Sequence, residues 1–176
     1  MNADAPPLTS RCNMLCLSPV QSTVDVAVGM GQAAFAADPS RLTTILGSCV
    51  AVTLYSPRRR LGMLSHIVLP QSRGAAENPA KYADTAIPHM LSVLRSEGIG
   101  LTDLTAKVVG GACMFGNGQF SRIGENNIHA ALQFLEAACI SVLGRDVGGN
   151  CGRRVCFDLA TGVVTVASVG RSTRTI

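Results

Sequence analysis

The sequence predicts an α+β domain: a layered, mostly antiparallel or mixed β-sheet system with two main helices. Three observations lead there. Seven or eight apolar runs of strand length are bounded by glycine, proline or serine. Two longer segments repeat apolar residues at three- and four-residue steps, the spacing of one helix face. Strands and helices do not alternate regularly, which argues against a doubly wound parallel sheet.

Residues 1–22 carry Pro, Ser and Thr without a sustained period and predict a flexible arm, leaving 23–176 as a single domain. Val24, Val26 and Val28 alternate with Asp25 and Ala27, a strand pattern. Gln32 to Arg41 reads as a loop. Leu42–Leu46, Val50–Tyr55 and Leu61–Leu69 then read as strands, and the turn at Ser56-Pro57-Arg58 predicts an antiparallel hairpin between the last two. Ala83, Ala86, Ile87, Met90, Leu91 and Leu94 mark a helix ended by Gly98. Pro88 within it should kink or split it, because proline lacks the N–H that the helix ladder needs. Lys107–Val109 is a short strand running into Gly110-Gly111. A second helix spans about Glu125 to Ala138, with Ile128, Ala131, Leu132 and Leu135 on one face. Ile140–Leu143, Arg154–Leu159 and Val163–Val169 complete the strands, the last two joined at Thr161-Gly162.

Composition narrows the function classes. With 15 Lys plus Arg against 11 Asp plus Glu, the net charge is only +4. Two Tyr, five Phe and no Trp leave no stacking platform along a basic stripe, so nucleic acid is disfavoured. The clusters Arg58-Arg59-Arg60 and Arg153-Arg154 read as a solvated turn and a strand edge, or as a docking patch for an acidic protein surface. The seven cysteines (Cys12, Cys16, Cys49, Cys113, Cys139, Cys151, Cys156) follow no secretory leader, which suggests free thiols in a reducing cytoplasm. Cys12/Cys16 with Cys151/Cys156 make an unpersuasive zinc set, so no metal and no cofactor is expected. No stretch reaches the length of a membrane span.

The most informative stretch is Leu46-Gly47-Ser48-Cys49-Val50-Ala51-Val52. A cysteine stands where an apolar strand meets a Gly-Ser break, a bend that can present a thiol and bare backbone N–H groups. Taken alone, Cys49 reads more readily as a packed core thiol. His66, in Met63-Leu64-Ser65-His66-Ile67-Val68-Leu69, changes that balance. The hairpin turn folds its strand back toward Cys49, and a thiol nucleophile needs a nearby base because only the thiolate attacks. His89 and His129 lie within helical patterns and read as solvated.

These motifs, in order, resemble the CheD family of chemoreceptor glutamine deamidases. The resemblance rests on Leu46–Val52, Ser65-His66-Ile67-Val68-Leu69-Pro70, Lys81-Tyr82-Ala83-Asp84-Thr85-Ala86, and Gly110-Gly111-Ala112 with Met114-Phe115. It continues through Ile123-Gly124-Glu125-Asn126-Asn127, Asp146-Val147-Gly148-Gly149-Asn150 and Arg154–Asp158 to Thr161-Gly162. It implies a layered fold related to deamidating toxins of the cytotoxic necrotizing factor type, and a catalytic set of Cys49, His66 and Thr43, with Thr43 holding His66. Gly47 and Ser48 are candidates for the oxyanion site. Asn127 and Asn150 are candidates for positioning substrate or bracing the site, with turn roles as an equal alternative. The implied reaction converts glutamine side chains on the cytoplasmic helices of chemoreceptors to glutamate, with a CheC-type phosphatase as a further implied partner. The competing reading is a docking module with little catalysis.

Overall fold

Among the described residues, ten strands pair into two five-stranded sheets, and two helices cover one face of the second. The computed structural model describes residues 23–74, 77–114 and 122–176. The arm expected over 1–22, with Cys12 and Cys16, lies outside them, as does Phe115 of the glycine-loop motif.

The first sheet runs in the order β1 (Asp25–Ala27), β3 (Arg41–Leu46), β8 (Arg153–Asp158), β9 (Val164–Ser168), β10 (Arg174–Thr175). The second runs β2 (Ala33–Ala37), β5 (Leu61–Ile67), β4 (Val50–Ser56), β6 (Thr105–Gly110), β7 (Ser141–Val147). Pairing is antiparallel except for β1–β3 and β6–β7, so each sheet is mixed. Every residue of β4 and β5 is buried, so the central hairpin is covered on both faces. Alternation divides its side chains between two cores. Val50, Val52, Leu54, Met63 and Ile67 pack against α1 (Ala83–Ser96) and α2 (Arg122–Ala137). Cys49, Ala51, Tyr55 and Leu64 face Leu42, Leu46, Val155, Phe157 and Val166 of the first sheet. The order of layers is sheet, sheet, helices.

The antiparallel hairpin expected from the turn is present, and its register pairs Ala51 with His66 and Val50 with Ile67. Three expectations change. Gln32 to Arg41 contains strand β2, with Ala33 to Ala37 paired to β5. Its Ala-Ala-Phe-Ala-Ala sequence has little β preference, and the strand forms because β5 offers an unpaired edge. α1 is not split: Pro88 lies inside a continuous 14-residue helix, on its exposed side, and the one ladder bond it removes is outweighed by the buried face of Ala83, Ala86, Ile87, Met90, Leu91 and Leu94. The short terminal strand β10 had no apolar pattern to announce it.

Candidate active site

The segment Gly47-Ser48-Cys49 leaves the first sheet at the end of β3 and enters the second at the start of β4. Its three successive carbonyls are each held by a donor. Ala112 N–H donates to Gly47 O at 2.9 Å and Gly111 N–H donates to Cys49 O at 2.8 Å. Asn127 Nδ2, from α2, donates to Ser48 O at 3.2 Å and to Val68 O at 2.9 Å. Among the described residues, no acceptor is recorded for the N–H groups of Gly47, Ser48 and Cys49. The glycines make this packing feasible. At Gly110 (φ +113) a Cβ would stand 2.3 Å from Cys49 O, and at Gly111 (φ +69) it would stand 2.5 Å from Ile128.

Cys49 is buried, 8% exposed, in the layer between the sheets. His66, 3% exposed, points to the same face, because it opposes Ala51 and Ala51 shares its face with Cys49. The sequence-predicted pair is therefore diagonal across adjacent strands. The two side chains are not joined by a hydrogen bond, for His66 Nε2 is buried without a partner. Burial pushes the Cys49 thiol up from its ordinary value. Burial pulls His66 down, partly offset by the nearby Val28 carbonyl. Both directions favour the neutral forms, a thiol beside an imidazole rather than a preformed ion pair.

Thr44, not Thr43, meets His66. Thr44 Oγ1 lies 2.8 Å from His66 Nδ1 and donates its single proton to Val28 O at 2.7 Å. Its oxygen therefore accepts from Nδ1–H, which leaves Nε2 as the bare lone pair of the ring. Thr43 sits on the opposite face of β3, with Oγ1 3.5 Å from Val26 O. The contact with His66 expected of Thr43 is made by its neighbour because Leu42, Thr44 and Leu46 are the inward residues of β3. Strand alternation was the signal available in the sequence. The Val28 carbonyl that completes the relay had no signal at all.

Among the other candidates, Asn127 is fully buried and touches the Gly47–Cys49 segment, whereas Asn150 is exposed and accepts from Cys151 Sγ at 3.3 Å. Arg153 is not a docking residue: it is 5% exposed and forms a buried ion pair with Asp146 at 2.9 Å. Arg58 and Arg60 are exposed and pair with Asp103 and Asp38. His89 and His129 are exposed. A cleft of about 400 Å³ opens beside Thr43 and Thr44, lined also by Val28, Met30, Ile45 and Arg154, and stops short of Cys49. Among the described residues no helix is long and apolar enough to cross a membrane.

Residues 68–168 match the family model for CheD chemotactic sensory transduction, a span that includes Asn127 but begins beyond His66. Relatives extend the likeness across the pair. A probable chemoreceptor glutamine deamidase CheD of Methanococcus maripaludis is 40% identical over 79% of this chain and 92% of its own length. One of Desulforamulus reducens is 39% identical over 89% of this chain and 98% of its own. The chemoreceptor glutamine deamidase CheD of Thermotoga maritima is 38% identical over 81% and 91%. With the family model covering more than half of the chain and these relatives aligned nearly end to end, this chain belongs to the CheD family.

Proposed function

We propose that this chain hydrolyses the side-chain amides of chemoreceptor glutamines to glutamate and ammonia, through a thioester on Cys49. The arrangement that supports this most directly is the relay Val28 C=O, Thr44 hydroxyl, His66 Nδ1–H, which leaves Nε2 without a partner on the strand face that carries Cys49. His66 Nε2 takes the thiol proton as Sγ attacks the amide carbon, since a neutral imidazole is a competent base at neutral pH. The oxyanion so formed is met by the N–H groups of Ser48 and Cys49, for which no acceptor is recorded among the described residues. The imidazolium gives its proton to the amine as the C–N bond breaks, releasing ammonia. His66 then takes a proton from water, which attacks the thioester carbon. The C–S bond breaks and the proton returns to Cys49, leaving glutamate. Nε2 and Sγ come into hydrogen-bond contact when substrate enters, a tightening common where a resting site is loose.

The chain would act in the cytoplasm, on the cytoplasmic helices of receptors, and association with a CheC-type phosphatase is a separate proposal. The test is peptide mass spectrometry of receptor cytoplasmic fragments incubated with the protein. Gln-to-Glu conversion by the wild type and none by Cys49→Ala is expected. Equal conversion by both removes Cys49 from the reaction.

A further inference from the structure

We infer that Asn127 is a positioning residue that aims and polarises the Cys49 N–H as an oxyanion donor; the inference rests on the deamidase reading above. A trans peptide directs its C=O and N–H to opposite sides. The peptide between Ser48 and Cys49 is trans, and its carbonyl accepts from Asn127 Nδ2 at 3.2 Å. Its N–H, that of Cys49, therefore points away from α2. The preceding peptide obeys the same rule. Gly47 O accepts from Ala112 N–H, which lies beside the first turn of α2, where Gly124 abuts Gly111 and Ala112. The Ser48 N–H is thus turned to the same side. The Cys49 thiol also faces away from the helices, into the layer between the sheets. Two bare donors and the nucleophile share one side of the turn, and the groups that aim them share the other.

The chemistry of Asn127 fits this role better than a packing role. The atom facing two carbonyls must be the amide nitrogen, so its orientation is decided by its partners. Its second bond, to Val68 O at 2.9 Å, ties the end of the His66 strand to the same amide. Its own Oδ1 is left buried without a partner. The two donated bonds come at the expense of that oxygen, so the side chain holds the Ser48 and Val68 carbonyls rather than satisfying itself. Donation to Ser48 O also draws electron density through the peptide and strengthens the Cys49 N–H as a donor.

The test compares wild type with Asn127→Asp, which keeps the shape and replaces the donor by a carboxylate facing two carbonyls. Turnover on a receptor fragment is measured beside alkylation of Cys49 by iodoacetamide, a displacement that builds no oxyanion. The expected result is kcat lowered by about 10- to 100-fold, the scale of a weakened oxyanion donor, with KM and the alkylation rate within about threefold of wild type. A fall in alkylation matching the fall in kcat overturns the inference, because Asn127 then only holds the Cys49–His66 framework. Unchanged kcat also overturns it. If Asn127→Asp loses the wild-type circular dichroism, Asn127→Ser, whose hydroxyl cannot span both carbonyls, carries the same expectation; failure of both to fold makes Asn127 a folding staple and overturns the positioning role. An inactive wild type overturns the deamidase reading itself, whereas an active wild type with an unaffected variant overturns the role of Asn127 alone.

Discussion

Replacing Thr44 by Val tests the relay proposed to orient the His66 imidazole. The two side chains have nearly the same shape, so the change removes an oxygen rather than volume. That oxygen bonds two buried groups, Val28 O at 2.7 Å and His66 Nδ1 at 2.8 Å. An orphaned buried donor or acceptor costs about 1–3 kcal/mol. The Val28 carbonyl already lies close enough to His66 to raise its pKa, so it can accept from Nδ1–H directly and recover part of that loss. The net cost in stability is then about 1–2 kcal/mol. Activity falls further, because a ring that has lost the Thr44 hydroxyl seating its Nδ1 samples other orientations and the other tautomer. A loss of about 10- to 100-fold in kcat/KM corresponds to about 1.4–2.7 kcal/mol of transition-state stabilisation. The assay is ammonia release from a glutamine-bearing receptor fragment, corrected for the folded fraction, with Thr43→Val in parallel. Thr43→Val is expected within about threefold of wild type, because its hydroxyl reaches only Val26 O at 3.5 Å. Wild-type activity in Thr44→Val with a large loss in Thr43→Val refutes the relay.

Three other outcomes are expected. Burial holds the folded His66 pKa below its ordinary value of 6.5, so the unfolded chain binds more protons than the folded one as pH falls through that window. Stability is therefore lost below about pH 6.5 and the slope is set partly by His66; His66→Gln should flatten it in urea titrations between pH 5 and 7. Burial raises the Cys49 pKa, so its alkylation rate at neutral pH should be below that of exposed Cys139 and should climb as pH rises through the alkaline range, read by mass spectrometry of each cysteine peptide. Gly110→Ala puts a methyl group 2.3 Å from Cys49 O at a positive φ, and should cost about 3 kcal/mol or more in chemical unfolding and abolish turnover.

How much was legible in the sequence depended on which forces were local. The β4–β5 hairpin was readable because its two apolar runs flank an obvious turn, and hairpin closure alone brings Cys49 and His66 to one face. β2 was not, since Ala33 to Ala37 carries no alternation of its own and owes its conformation to the β5 edge. The Thr43–Thr44 pair shows the limit from the other side. Family resemblance pointed to Thr43, while the alternation of Leu42, Thr44 and Leu46 in the same strand pointed to the inward residue that the structure joins to His66. Arg153 was ambiguous for a different reason: its partner Asp146 belongs to β7, in the other sheet, and no local pattern connects them. Asn127 could be proposed from its motif, but its hold on Ser48 spans 79 residues and needed the fold to be seen.

The seam between the two sheets also sets an order of assembly. Cys49 and His66 flank or lie in the second sheet, most of whose strands are close in sequence, while Thr44 belongs to the first, where β3 pairs with β8 across more than a hundred residues. Contacts of such separation close late, because the chain must give up more freedom to make them. On the ribosome β8 emerges after every strand of the second sheet, so the strand that carries the orienting hydroxyl gains its long-range partner after that sheet can form. A half-folded chain would hold Cys49 and His66 beside a strand not yet seated in its sheet, and on the deamidase reading reactivity toward amides would rise as that sheet closes.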